Sequence, residues 1–189
     1  MQQLLDNITS IVDLTSQEAE KISEKFRTFF LKRKKDLLRG GDICKDIAFV
    51  SQGCVRSYTI DENGNEHVIQ LAFENHWISD LYSFLSLEPS TLFIEAIEDS
   101  KLLLISNELL EQLNSEVPKM ERFFRILIQR AYVSTLQRLE KSFSEPAAIR
   151  YKALIEKNPD LLQRVPLIYI ASYLGITPES LSRIRKQRH

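Results

Sequence analysis

The stretch Leu174-Gly175-Ile176-Thr177-Pro178 admits few backbone paths and constrains this chain more than any other segment. Gly175 can take the left-handed conformation that ends a helix, without the penalty a Cβ carries. Thr177 is a strong N-cap, and Pro178 suits the first helical position, where its missing N–H is no loss. One helix therefore stops and another starts almost at once. Upstream, Pro166 opens the first helix, and Leu167, Ile170, Ala171 and Leu174 repeat at helical spacing as one apolar face. Ala171 is small and lets a second helix cross closely. In that second helix Leu181 and Ile184 face inward, while Ser180, Arg183 and Lys186 lie three apart on another face. Such a pair is a helix-turn-helix of the kind a DNA major groove accepts. A plain helical hairpin with a solvated basic end accounts for the apolar face. It does not account for the agreement of cap, turn, small residue and basic face.

The 189 residues carry a net charge of −1, so any nucleic-acid binding must rest on a local patch. Residues 181–189 supply one, with Arg183, Arg185, Lys186 and Arg188 and no acidic residue among them. Apolar residues make up 43% and charged residues 27%, as in ordinary globular proteins. The N-terminus lacks a signal-peptide pattern, and no apolar run approaches a membrane span. A cytoplasmic protein without membrane contact is expected. Cys44 and Cys54 are the only cysteines, which suits free thiols in a reducing compartment, although one Cys44–Cys54 pairing stays open.

Residues 8–30 read as a small helical segment, capped by Thr15 or Ser16 and carrying Ala19, Ile22, Phe26, Phe29 and Phe30 on one face. The basic run Lys32-Arg33-Lys34-Lys35 reads as a solvated strand start rather than a nucleic-acid patch. From residue 36 to 105 short apolar runs alternate with turn signals. Residues 47–50, 55–60, 67–73, 92–97 and 101–105 are predicted strands, with Asn63-Gly64 as a hairpin turn. Strands this short and this closely spaced imply a small barrel or roll. A short helix over residues 107–114 follows, capped by Ser106 or Asn107. Pro118 then opens the longest helix. Its apolar residues cover so much of the circumference that it must touch its own domain on one side and something else on the other. The simplest second partner is the same helix of another copy. Pro146 starts the next helix, with Ile149, Ala153 and Leu154 inward, and Asn158-Pro159 stops it.

A β-roll, one long central helix and a C-terminal helix-turn-helix together resemble the Crp/Fnr family of bacterial transcription regulators. The resemblance runs from about residue 26 to 186. It is carried by Leu38-Arg39-Gly40-Gly41-Asp42, by Phe49-Val50-Ser51-Gln52-Gly53-Cys54-Val55-Arg56, by the hairpin at 61–66, and above all by Ala171-Ser172-Tyr173-Leu174-Gly175-Ile176-Thr177 with Leu181-Ser182-Arg183-Ile184. It implies an α+β chain. Residues 1–116 form a double-stranded, jelly-roll-like sensor roll, 117–143 a dimerisation helix, and 144–189 a helical DNA-binding domain. In that family a Glu, and an Arg four residues later, read bases; Glu179 and Arg183 fall at those places. Thr177, Ser180, Ser182, Arg185 and Lys186 complete the expected DNA surface, the last three of them toward the phosphates. An Arg that often precedes the Glu is Pro178 here. Residues 158–166 leave little room for a β-hairpin wing. The expected dimer residues are Phe124, Leu127, Ile128, Ala131 and Thr135. Double-stranded DNA and a second copy are the implied partners, and RNA polymerase is a further one open to such a protein.

The effector pocket departs from the family. Cyclic-nucleotide binders carry a Gly-Glu pair before a short helix and an Arg after it, the Arg neutralising the cyclic phosphate. Here Ser79-Asp80 replaces the first motif, and Ser90 stands at the Arg position. A phosphate buried without that guanidinium would be an unpaired charge. Cyclic AMP is therefore not the expected effector. Phe73, Ser79, Asp80, Ser90, Thr91 and Thr135 would border any remaining pocket, which either takes another small molecule or is packed shut. Two cysteines fall short of the four ligands of an iron–sulfur sensor, and His67 and His76 suit polar neighbours better than haem. No metal or cofactor is expected. The chain shows no nucleophile–base motif, phosphate-binding glycine loop or metal cluster, so an enzyme is not expected either. The competing reading is a small-molecule sensor that acts through protein contacts and keeps a degenerate DNA-binding head.

Overall fold

The computed structural model describes residues 1–186; Arg188 of the basic tail lies outside the described residues. Two helices, α1 (Gln2–Thr9) and α2 (Ser16–Lys25), precede the sheets. The predicted cap of α2 is realised as a capping box. The Thr15 hydroxyl accepts from the Glu18 N–H, and the Glu18 carboxylate accepts from the Thr15 N–H. These bonds, together with Lys119, hold the Glu18 carboxyl down at about 2. The helix does not run on to Phe30, as its apolar spacing suggested. It ends at Lys25, Phe26 is extended, and Phe29 and Phe30 belong to strand β1 (Arg27–Leu31). Five aligned partners on a later strand outweigh the helical periodicity of those phenylalanines.

The roll comprises β1, β2 (Asp36–Leu38), β3 (Asp46–Gln52), β4 (Val55–Ile60), β5 (Glu66–Ala72), β6 (Trp77–Ile78), β7 (Phe93–Ala96) and β8 (Ser100–Ser106), with helix α3 (Leu81–Ser86) between β6 and β7. The strands form two antiparallel four-stranded sheets, ordered β1-β8-β3-β6 and β2-β7-β4-β5. The five predicted strands are present, β4 at its predicted boundaries and the other four shifted by one or two residues. β1, β2 and β6 have no signal strong enough to announce them. Lys32-Arg33-Lys34-Lys35 forms the turn between β1 and β2 rather than a strand start, pinned to β7 by Lys34 N–H to Ala96 O at 2.8 Å and Ala96 N–H to Lys35 O at 3.0 Å. Gly53 joins β3 to β4 at φ +95°, where a Cβ would sit 2.4 Å from the Ser100 hydroxyl. Both cysteines are buried free thiols, and burial pushes the Cys54 thiol up to about 12.

After α4 (Asn107–Glu116), capped by the Ser106 hydroxyl, the long helix α5 runs Lys119–Ser144. Its first two turns are sealed to the roll. Trp77 packs its ring against Phe26, Phe49, Phe123 and Phe124 at 5.2–6.1 Å and donates its indole N–H to Asn7 at 3.0 Å. Burying each such ring contributes roughly 1.5–3 kcal/mol. Beyond residue 128 the helix stands clear of the roll, and Tyr132, Val133, Leu136, Leu139 and Phe143 are exposed, Phe143 by 83%. The expectation that one side of this helix lies on its own domain therefore holds only for its beginning. No helix among the described residues is long and apolar enough to cross a membrane.

The C-terminal head contains α6 (Ala147–Lys157), α7 (Leu161–Arg164), α8 (Leu167–Tyr173) and α9 (Pro178–Lys186). The inward face of α6 is Tyr151 with Leu154 and Ile155; Ile149 and Ala153, expected inside, are exposed. The head is not a detached unit. Tyr151, Leu161, Val165, Ile170, Ala171, Leu174 and Leu181 share one buried cluster with Cys54, Tyr58, Val68, Leu71, Phe73 and Ile97 of the roll.

Candidate nucleic-acid interface

The α8–α9 turn is built as its residues dictate. Gly175 sits at φ +67°. The Ile176 N–H reaches the Ala171 carbonyl at 3.0 Å and the Gly175 N–H reaches the Ser172 carbonyl at 2.9 Å, the paired bonds of a Schellman C-cap. The Thr177 hydroxyl then accepts from the Ser180 N–H at 3.2 Å and caps α9. Leu181 is buried and Ile184 packs beside it, so the helices cross on the predicted faces. Glu179, Ser182, Arg183 and Lys186 are left exposed, with Ser180 and Arg185 partly so. Arg183 donates to the Ser180 hydroxyl at 3.2 Å, which aligns it along the outer face of α9. A hydrogen bond from its own N–H, and another from the Thr177 hydroxyl, hold the Glu179 carboxyl below the usual range. It is an ionised acceptor at neutral pH.

The expected pocket residues are dispersed. Asp80 and Ser90 do meet: the Ser90 hydroxyl donates to the Asp80 carboxylate at 2.5 Å, and both are buried. The same carboxylate caps α3 by accepting from the Tyr82 and Ser83 N–H groups. Ser79 donates to the Asp46 carbonyl beside the Cys44 thiol. Thr91 is exposed, and Thr135 lies on the free part of α5 with its hydroxyl on the Ala131 carbonyl. Phe73 belongs instead to the cluster shared with the head. Of the expected dimer residues, Phe124 is only 7% exposed, packed on Trp77 and so unavailable to a partner. Leu127 packs partly on the same core, while Ile128, Ala131 and Thr135 are exposed.

The residues that join head to roll carry no recognisable sequence signal. Arg56, on β4, is 1% exposed. Its guanidinium lies 3.9 Å from the Tyr58 ring centroid and 3.7 Å from that of Tyr169 on α8. It is neutralised by Glu66 at 2.6 Å and Glu95 at 3.3 Å. Ser172 on α8 completes the sheet edge, its hydroxyl accepting from the Val68 N–H and donating to the Glu66 carbonyl, both at 2.9 Å. Arg164, the last residue of α7, binds both oxygens of Glu74 at 2.8 and 2.9 Å and reaches Glu98 at 2.5 Å.

The comparisons bear on this arrangement. Residues 28–116 match the cyclic nucleotide-binding domain family. The chain is 26% identical over 167 residues to the fumarate and nitrate reduction regulatory protein of Vibrio cholerae, covering 82% of this chain and 65% of that protein. It thus spans a little under two thirds of that curated relative. FixK2 of Bradyrhizobium japonicum superposes with a TM-score of 0.74 at 17% identity, covering 86% of this chain and 83% of that one. The regulator CLP of Xanthomonas campestris superposes at 0.72 and 16% identity, covering 92% and 91%. These likenesses support the resemblance to Crp/Fnr-type regulators. The proteins it resembles in sequence are named as regulators, not enzymes. Among the described residues no group of His, Cys, Asp or Glu could hold a metal ion.

The ion pairs at the head–roll contact predict a dependence on acid. Burial pushes the Glu74 carboxyl up, but the hydrogen bonds from Arg164 and the Gly53 N–H outweigh it and hold the group below its ordinary value. Glu98 and Arg164 face it, and His76 lies edge-on to the adjoining Phe73. A lowered carboxyl stabilises docking fully above the ordinary glutamate value of about 4.3, and that contribution is lost as pH falls through the docked value. The Val68 amide resonance, followed by NMR, should hold its docked position from neutral pH down to about 5 and move only below about 4.

Proposed function

We propose that this chain is a sequence-specific DNA-binding transcription regulator that works as a homodimer. The observation that carries the reading is the outer face of α9. Glu179 and Arg183 stand one turn apart and exposed on a helix whose start is fixed by the Thr177 cap and whose inner face is anchored by Leu181. Arginine donates bidentately to guanine O6 and N7, and glutamate accepts from cytosine N4. Ser182, Arg185 and Lys186 flank them toward the phosphates. Arg183→Ala should cost about 1–3 kcal/mol on the specific site and flatten a guanine preference in each half-site. Lys186→Ala should weaken all sequences alike and lower the salt slope by about one unit. Competition binding with single-base operator variants, starting from genomic fragments selected by mobility shift, reads both. An unchanged base preference in Arg183→Ala would contradict this docking.

The dimer reading rests on the free part of α5. Ile128, Tyr132, Leu136, Leu139 and Phe143 are exposed and follow one another at spacings of three or four residues, as in a helix–helix seam. Val133 lies beside them. A single copy leaves this face in water, and the same face of a second copy covers it with two-fold symmetry. Light scattering should give twice the 22.0 kDa chain mass, and Leu136→Asp with Leu139→Asp should return the monomer.

Cyclic AMP is not the effector in this reading. The buried polar side chains at that corner of the roll are Asp80, Ser83 and Ser90, and Asp80 already accepts from Ser90 and from the start of α3. A cyclic phosphate there would meet a carboxylate without a counter-charge. Calorimetric titration should detect no binding in the micromolar range, whereas a micromolar dissociation constant would refute the remodelled pocket.

A further inference from the structure

We propose that Arg164 is a phosphate-binding residue of the DNA-binding head, and that Glu74 and Glu98 of the roll hold it in place of DNA, masking the head in the docked state. The inference rests on the DNA-binding reading above. Arg164 ends α7 and lies two residues before Pro166, which opens α8. In a helix-turn-helix bound to a duplex, the first helix crosses the sugar–phosphate backbone while the second enters the groove. The chain leading into α8 is therefore where phosphates run, and the arginine fork matches the two-oxygen edge of a phosphate or a carboxylate equally well.

In this structure that fork is fully engaged by carboxylates. Glu74 takes it with both oxygens, and Glu98 accepts from Nε at 3.0 Å and from Nη2. The remaining face of the guanidinium lies over Phe73, 5.3 Å from the ring centroid. Glu66 and Glu95 add negative charge on the same side of the head, and their counter-charge Arg56 is sealed between Tyr58 and Tyr169. DNA cannot reach Arg164 while these groups are in place, and their charge repels its approach. The outer face of α9 stays exposed, so the mask covers the backbone contact and not the base-reading side chains. DNA and the roll thus compete for one arginine.

The test is a Glu74→Gln, Glu98→Gln double variant, which keeps side-chain size and removes charge, with thermal melting to verify folding. Anisotropy titration of a fluorescein-labelled generic duplex over a range of salt concentrations is compared with the native chain. The variant should bind about tenfold more tightly, with a salt slope steeper by about one unit for the phosphate contact that Arg164 gains. Adding Arg164→Met to it should abolish both changes. Hydrogen exchange at Val68, whose N–H is given to Ser172 in the docked state, should rise in the double variant without DNA. Equal or weaker duplex binding by a variant whose Val68 exchange has risen overturns the mask while leaving DNA binding intact. No duplex binding by either protein at low salt removes the DNA reading and the proposal with it.

Discussion

A guanidinium taken out of water must be neutralised and stacked on all sides, and Arg56 imposes that demand at the centre of the β2-β7-β4-β5 sheet. Two glutamates of neighbouring strands supply the charge, Tyr58 covers one face, and the other face is covered only by Tyr169 of the head. The roll neutralises the guanidinium by itself, but both faces are covered only when roll and head meet. A buried ion pair of this kind is weak as a source of net stability, but an incomplete one is costly. Its effect here is positional: it specifies where α8 lies on β5, and Ser172 and Arg164 settle on the sheet around it.

The edge of β5 explains why the docking is so well defined. An open sheet edge presents unpaired N–H and C=O groups that invite other strands. Ser172 answers one of each, at Val68 and Glu66, with a single hydroxyl. A helix thus closes the edge without continuing the sheet. The same contact spends the polar groups of the head that face the roll and leaves α9 free. The opposite end of the head is held as well, by Arg138 of α5 over the Tyr173 ring and by Arg150 of α6, which donates to the Leu174 carbonyl and to the Glu145 carbonyl at the end of α5. Head position is therefore coupled to α5, the element whose far half presents an exposed apolar face.

The corner of the roll at the start of α3 is held by its own side chains. Asp80 serves as the N-cap of α3 and as acceptor for Ser90, which fixes the loop before β7 to the start of the helix. These are self-contained hydrogen bonds, and each buried donor and acceptor there has its partner inside the chain. The Trp77 cluster seals the adjoining layer, joining α1, the sheet and the start of α5.

Local chemistry was legible in the sequence wherever a residue type decides its own backbone. Gly175, Thr177 and Pro178 specify the α8–α9 turn, Asn63-Gly64 the β4–β5 hairpin, Pro118 the start of α5 and Thr15 the cap of α2, because caps and turns are settled by atoms within a few residues. The polar face of α9 followed from the same register. Only the tertiary structure decided what depends on distant partners. Phe29 and Phe30 read as helical until β8 pairs with them. Phe124 reads as an interface residue until Trp77 buries it, and Phe73 as a pocket residue until the head covers it. Arg56 and Arg164 reveal nothing along the chain, since their counter-charges lie 10 and 39 residues away for the one, and 66 and 90 for the other. Ion pairs between distant segments follow no periodicity, and folding alone brings their charges together.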